Sequence, residues 1–133
     1  MNKLSGKIDS IHTSGNLSIV EILVNLDIMK AVLIETPESA RFLKKGETIN
    51  VIFKETEVLI AKNFSGKISL QNRLNCRIVS IEKGELLSKV ILDYKGNKLM
   101  SIITQFSVND MELKPGDEVA ALIKTNEVIL SQE

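Results

Sequence analysis

Asn2-Lys3-Leu4-Ser5-Gly6-Lys7-Ile8-Asp9-Ser10-Ile11, near the start of the chain, returns as Asn72-Arg73-Leu74-Asn75-Cys76-Arg77-Ile78-Val79-Ser80-Ile81. A shift of 70 residues lays one stretch on the other, and the same shift keeps working outward from it. Leu17, Ser18 and Val20 fall on Leu87, Ser88 and Val90. Leu43-Lys44-Lys45-Gly46 falls on Leu113-Lys114-Pro115-Gly116, and Lys54, Glu57 and Val58 fall on Lys124, Glu127 and Val128. One constant offset at both ends means two copies of nearly the same length and topology. We read the first copy as residues 1–63 and the second as 64–133, with Asn63-Phe64-Ser65-Gly66 interrupting the apolar alternation between them.

Each copy reads as strands. Val20, Ile22 and Val24 alternate with their neighbours, as do Val90, Leu92 and Tyr94. Ile49, Val51 and Phe53 are matched by Val119, Ala121 and Ile123, and each run is followed by a short apolar stretch, Val58-Leu59-Ile60 or Val128-Ile129-Leu130. Period two is the signature of a half-buried strand. Asp93-Tyr94-Lys95-Gly96-Asn97 carries a turn signal, and Asn25-Leu26-Asp27 is its plainer counterpart. One short helical turn is predicted in each copy, over Pro37–Leu43 and Ser107–Leu113, from a Pro or Ser suited to a helix start. About five strands and one helical turn in some 65 residues predict an all-β fold of two tandem small barrels of the oligonucleotide/oligosaccharide-binding type. A unit of that size has a marginal core alone.

Composition narrows the function. Seventeen Lys and Arg balance seventeen Asp and Glu, which argues against a nucleic-acid binder drawing affinity from many phosphate contacts. Four Phe, one Tyr and no Trp leave few rings on which single-stranded bases would stack. One cysteine, Cys76, and one histidine, His12, make neither a disulfide nor a zinc site within one chain. Cys76 sits at an apolar-alternation position and reads as a buried small hydrophobe; His12 reads as a loop residue. The start of the sequence shows no signal pattern, and the apolar runs are far shorter than the roughly 20 residues that cross a bilayer. The expectation is a cytoplasmic, non-catalytic protein without membrane insertion.

The second copy resembles the molbindin family, the TOBE- or Mop-type repeats associated with molybdenum-pterin and molybdate binding. The family repeat opens with Ser-Ala-Arg-Asn-x-Leu, ends a middle strand in Ile-Thr-x-x-Ser, runs through Leu-x-Pro-Gly and closes with Ile-Lys-Ala-Ser-x-Val. Here the blocks are Ser69-Leu70-Gln71-Asn72-Arg73-Leu74, Ile103-Thr104-Gln105-Phe106-Ser107, Leu113-Lys114-Pro115-Gly116 and Ile123-Lys124-Thr125-Asn126-Glu127-Val128. The first copy keeps Asn2-x-Leu4, Leu43-Lys44-Lys45-Gly46 and Phe53-Lys54. The resemblance implies a tandem di-repeat protein that holds molybdate or tungstate, with sites between the repeats of neighbouring subunits in a homo-oligomer, a trimer.

A tetrahedral dianion is held by hydroxyl, backbone N–H and ammonium donors, and a donor to an ionised acceptor gains more than a donor to a neutral one. Carried over position by position, the resemblance implies Ser69, Gln71, Asn72, Thr104, Ser107, Lys124 and Thr125, with Lys54 as the first-copy counterpart of Lys124. On residue chemistry alone, Ser69, Thr104 and Ser107 are equally ordinary strand-end and cap residues, and Lys54 and Lys124 solvated strand-end lysines. The family arginine is Gln71 here, with Arg73 on the same strand face. In the first copy, Ile34 and Pro37 stand where Thr104 and Ser107 stand in the second, and Glu55 sits beside Lys54. That copy is expected to keep the fold and lose most of the binding. The rival reading is a sensory or interaction module of a molybdate regulator or transporter with weak oxyanion binding or none.

Overall fold

The computed structural model describes residues 1–132. Its strands are β1 (Asn2–Ser14), β2 (Leu17–Val24), β3 (Asp27–Leu33), β4 (Thr48–Phe53), β5 (Leu59–Ala61), β6 (Asn72–Lys83), β7 (Leu87–Tyr94), β8 (Asn97–Thr104), β9 (Glu118–Ile123) and β10 (Ile129–Ser131). A helix, α1 (Gln105–Asp110), follows β8, and single 3-10 turns span Glu55–Glu57 and Thr125–Glu127. The ten strands form two five-stranded antiparallel sheets, β10-β4-β1-β2-β3 and β5-β9-β6-β7-β8. The all-β expectation and the five-strand inventory hold.

The long strands explain how each sheet curls. β1 buries Asn2, Leu4 and Ile8 and exposes Lys3, Ser5 and Lys7. Its pairing with β2 shifts register between Ile8 and Ser10, and β6 shifts against β7 at the matching place, between Ile78 and Ser80. A bulge bends a strand and increases its twist. The first half of β1 can therefore pair with β4 while its far end pairs with β2 alone. At Gly6 this bend brings β2 so close that an added Cβ would lie 2.7 Å from the Leu23 carbonyl oxygen. His12 lies in β1, opposite Ile19, not in a loop; the strand continues past the bulge to Ser14. The β7–β8 hairpin closes on Lys95-Gly96, both at positive φ (47° and 88°), the two-residue turn that suits strand twist. The β2–β3 hairpin closes on Asn25-Leu26, with Asn25 at φ 55°.

The sheets do not follow the chain order. β5, at the end of the first copy, pairs with β9 of the second (Leu59 with Leu122, Ala61 with Ala120). β10, at the end of the second copy, pairs with β4 of the first (Ile129 with Ile52, Ser131 with Asn50). Each sheet is completed by a strand from the other copy. Two buried asparagines add to the interlock. Asn2 on β1 donates to the Met100 carbonyl and accepts from the Met100 N–H, both at 2.8 Å. Asn72 on β6 does the same to Lys30 on β3, at 2.8 and 2.7 Å. The pairs are related by the 70-residue offset, so the sequence repeat becomes an approximate two-fold in space. One continuous core draws on both sheets, from Leu4, Ile22 and Phe53 to Leu74, Leu92 and Ile123. Cys76 is free and buried in it.

The two helical turns do not match. In the second copy Thr104 caps α1, its Oγ1 accepting from the Ser107 N–H at 3.1 Å. The helix ends on Glu112 at φ 51°, with Leu113 N bonded to the Val108 carbonyl and Glu112 N to that of Asn109. That is the Schellman pattern of a left-handed residue closing a helix. In the first copy the predicted helix over Pro37–Leu43 is replaced by isolated turns. Ile34 has no hydroxyl to cap with, and Pro37 has no N–H to be capped. Instead Ser39 Oγ accepts from Thr36 N at 2.9 Å, and the Thr36 carbonyl accepts from Ser39 N and Ala40 N.

A buried phenol joins the copies at the hairpin end. Tyr94 Oη donates to Asp27 Oδ2 at 2.5 Å and lies 3.3 Å from the Val24 carbonyl. Burial, and then the bond to the Asp27 carboxylate, pushes its pKa from 10.0 up to about 12. The fold favours the protonated phenol, so this contribution to stability is complete below pH 10 and is lost as pH rises through 12. Stability is expected to fall more steeply between pH 10 and pH 12 in the parent than in Tyr94→Phe, measured by urea denaturation at each pH. The Cys76 thiol, also pushed up to about 12 by burial, is present in both proteins. Parallel pH profiles would show that Tyr94 is not the group responsible.

Candidate functional site

The residues implicated from the sequence fall into two groups on different elements. The first is the junction of β8 and α1. Thr104, exposed at the end of β8, holds its oxygen toward the helix because Oγ1 accepts from Ser107 N. Its hydroxyl proton points to Ser107 Oγ at 3.1 Å. Ser107 Oγ therefore accepts, and its own proton has no protein acceptor among the described residues. The cap thus orients both hydroxyls while leaving one O–H free and the other able to rotate, which suits a group that must donate to an anion. Gln105 is tied down beside them. Its N–H donates to the Leu86 carbonyl, its side chain accepts from Ser88 Oγ, and it donates to Asn109 Oδ1. Next to Ser107 lies an apolar hollow of about 170 Å³, lined by Leu59 and Ile60 from the first copy and Ile103 and Met111 from the second. Phe106, the residue before Ser107, stands 71% exposed.

Lys62, a residue the sequence reading passed over, secures this junction. Its Nζ donates to the Met111 and Glu112 carbonyls at 3.2 and 2.9 Å and pairs with Asp117 Oδ2 at 3.0 Å. A cation at the open carbonyls of a helix C-terminus is favourable. The Lys62 ammonium bonded to Asp117 holds that carboxyl below its usual range. The offset gave no warning, because Lys62 falls on Gln132.

The second group is where β6 begins and β9 ends. Asn72 is registered opposite Ile123, so Gln71, just before β6, and Lys124, just after β9, both lie at this end of the sheet. Lys124 precedes the 3-10 turn, its carbonyl accepting from Glu127 N at 3.0 Å. The side chain is exposed and makes no ion pair among the described residues. Thr125 is half-buried and Gln71 exposed. Ser69 lies in an exposed bend before the strand. Asn72 departs from expectation. It is fully buried and both ends of its amide are bonded to Lys30, so its side chain fastens the copies together. No hydrogen bond or ion pair joins the second group to Thr104 and Ser107 among the described residues.

The first copy offers a poorer version of both groups. Ile34 is 77% exposed where Thr104 has its hydroxyl. Lys54 is exposed like Lys124, but Glu55 follows it. The Met1 ammonium donates to Glu55 Oε2 at 2.8 Å and holds that carboxyl below its usual range, so it stays anionic. A carboxylate there opposes anion binding. Among the described residues no group of three or more His, Cys, Asp or Glu is placed to hold a metal ion, and no helix is long and apolar enough to cross a membrane.

The TOBE domain family model matches residues 68–130, the stretch that carries both second-copy groups. Molybdenum-pterin-binding protein 1 of Clostridium pasteurianum is 38% identical over 64 residues, which is 47% of this chain and 94% of that protein. The chain belongs to the molybdenum-pterin-binding, TOBE-domain family. The likeness of this family member to a solved structure, the cytoplasmic molybdate-binding protein ModG with molybdate bound, extends over nearly its whole length. The TM-score is 0.92 at 29% identity, covering 99% of this chain and 96% of that one. The molybdenum import ATP-binding protein ModC of Brucella abortus is 35% identical over 83 residues, 62% of this chain. The chain spans 23% of that protein's length.

Proposed function

We propose that this protein binds molybdate or tungstate as a cytoplasmic store, without catalysis, at sites that neighbouring subunits of a homotrimer complete. The observation that carries the reading is the whole-length likeness to ModG, crystallised with molybdate. The donor chemistry agrees with it: oriented hydroxyls at Thr104 and Ser107, and an unpaired cation at Lys124, at the same end of the sheet as Gln71 and Thr125. No hydrogen bond or ion pair joins the two groups among the described residues, and in this reading a site using both draws them from adjacent chains. Leu59, exposed at the apolar hollow, and the exposed Phe106 give such a neighbour apolar surface to cover. Arg73 points along the strand face of Gln71 but lies over the Phe64 ring, 5.7 Å from its centroid. That leaves Lys124 as the cation of this group.

Titration calorimetry with molybdate, tungstate and sulfate tests the reading. Saturable binding of molybdate or tungstate, stronger than that of sulfate, is the expected result. No heat with any of the three would remove the storage role. The other reading, a sensing or interaction module, has one observation in its favour: the match to part of the transport protein ModC.

Lys124→Ala is expected to weaken molybdate binding at least tenfold, about 1.4 kcal/mol. It should leave the ligand-free melting temperature nearly unchanged, because an exposed lysine without an ion pair contributes little to stability. Lys124→Arg should restore part of the loss, since a planar guanidinium does not fill the space of a compact ammonium. Parent-like affinity in Lys124→Ala would remove this residue from the site.

A further inference from the structure

The outer face of β2 and β3 carries six side chains in three registered pairs: Ile19 with Val32, Glu21 with Lys30, and Leu23 with Ile28. Alternation puts them outside, because Val20, Ile22, Met29 and Ala31 between them fill the core. Ile19, Leu23 and Ile28 are each at least 40% exposed. At the Ile19–Val32 end the face runs into a hollow of about 260 Å³ that Leu17 also lines. The 70-residue offset turns Ile19, Leu23 and Ile28 into Lys89, Asp93 and Lys98. Both copies have the same strands, so the fold itself does not require an apolar face here. A contiguous apolar face rimmed by polar groups marks an interaction surface.

Its charges select the partner. Glu21 and Lys30 sit in the middle of the apolar residues, with Lys30 Nζ 3.5 Å from Glu21 Oε2. A hydrogen bond from Ser10 Oγ holds the Glu21 carboxyl below its usual range, so it is anionic at neutral pH. A partner of one sign would set a like charge against Glu21 or against Lys30. The matching face of the second copy would press Lys89, Asp93 and Lys98 onto apolar side chains, and an unpaired charge is costly to bury. The face is instead complementary to itself. A two-fold axis between two such faces, parallel to the strands, exchanges the members of each registered pair. Ile19 then lies over the partner's Val32, Leu23 over the partner's Ile28, and Glu21 over the partner's Lys30. Such isologous contacts are the commonest in symmetric assemblies, and sheets pack face to face with their strands nearly aligned. We propose that this face pairs with the same face of a second copy of the chain about a two-fold axis. The contact uses none of the oxyanion residues.

Sedimentation velocity of the full chain, from low micromolar to several hundred micromolar, tests this. Six residues a side is small beside the roughly 20–30 of a stable interface, so pairing should grow over that range and be lost on dilution. The average mass should rise toward at least twice its value at the dilute end. Glu21→Lys leaves two lysines on each face, and Lys30→Glu leaves two carboxylates. Each alone should weaken pairing at least tenfold, because like charges meet across the axis. An equimolar mixture of the two variants should pair like the parent. The Glu21–Lys30 pair within one chain cannot be restored by mixing chains, so rescue by mixing reports the interface alone. Leu23→Glu should abolish pairing by setting a carboxylate on the partner's Ile28, and it decides the matter if a charge variant fails to fold. The proposal is overturned by a mass that does not change with concentration, by any single variant that pairs like the parent, or by a mixture that stays apart. The dilute end tests the oxyanion reading separately: three chains there support its trimer, one chain removes it, and neither result changes the concentration dependence. Thr104→Ala/Ser107→Ala should pair like the parent.

Discussion

Replacing Thr104 and Ser107 together by Ala is expected to lower molybdate affinity by at least 100-fold. Each hydroxyl lost from a charged acceptor removes roughly 1.5–3 kcal/mol, and about 1.4 kcal/mol is tenfold. The geometry makes the pair act as a unit. Thr104 Oγ1 is fixed by the Ser107 N–H, and its proton is shared with Ser107 Oγ until a better acceptor arrives. Thr104→Ala alone also removes the cap of α1, at a cost of about 1 kcal/mol in stability. Thr104→Ser keeps both the cap and the donor, so it should bind nearly like the parent. That separates a lost donor from a frayed helix. Replacing Pro37 in the first copy should leave affinity unchanged, because neither Pro37 nor the neighbouring Ile34 offers a side-chain donor. Calorimetric titration of the four variants reads all of this, and an equal loss from the Pro37 variant would refute the inequality of the copies.

The second large effect is on the fold. Asn72→Ala is expected to cost roughly 2–6 kcal/mol of unfolding free energy. It strands the N–H and the carbonyl of Lys30, and each buried backbone group left without a partner costs about 1–3 kcal/mol. Against a total of about 5–15 kcal/mol for a domain, that is a large share. Asn2→Ala should cost a similar amount through Met100. Asn72→Asp should not rescue, because an ionised carboxylate cannot donate to the Lys30 carbonyl. Urea denaturation gives the comparison. A loss of oxyanion affinity in Asn72→Ala at unchanged stability would make Asn72 a ligand and not a clamp.

The strands were legible because alternation is a local property: Val20, Ile22 and Val24 face inward whatever they pair with. The exchange of β5 and β10 was not. Leu59-Ile60-Ala61 finds a row of apolar residues on β4 and a chemically equivalent row on β9, because the copies are repeats of each other. Nothing in the segment itself chooses between them. The helix of the second copy, expected over Ser107–Leu113 from Ser107, spans Gln105–Asp110 instead, because the capping side chain is that of Thr104. The helix predicted in the first copy does not form, because Pro37 suits a helix start but Ile34 before it has no side-chain group to cap one. At the site, Thr104 and Lys124 lie exposed at element ends, and Ser107 is half-buried in the first turn of α1. Asn72 was misjudged because its burial comes from β3, a strand some 40 residues away in the other copy. Lys62 and the Asp27–Tyr94 bond were missed for the same reason: their partners are distant in sequence and carry no motif.

Native mass spectrometry of the protein with excess molybdate tests the central claim most directly, since one spectrum reports both assembly and ligand. The account predicts a trimer of 14.8 kDa chains carrying bound molybdate, with the bound mass lost in the Thr104→Ala/Ser107→Ala variant while the trimer persists. A monomer that carries no oxyanion at any molybdate concentration would contradict it.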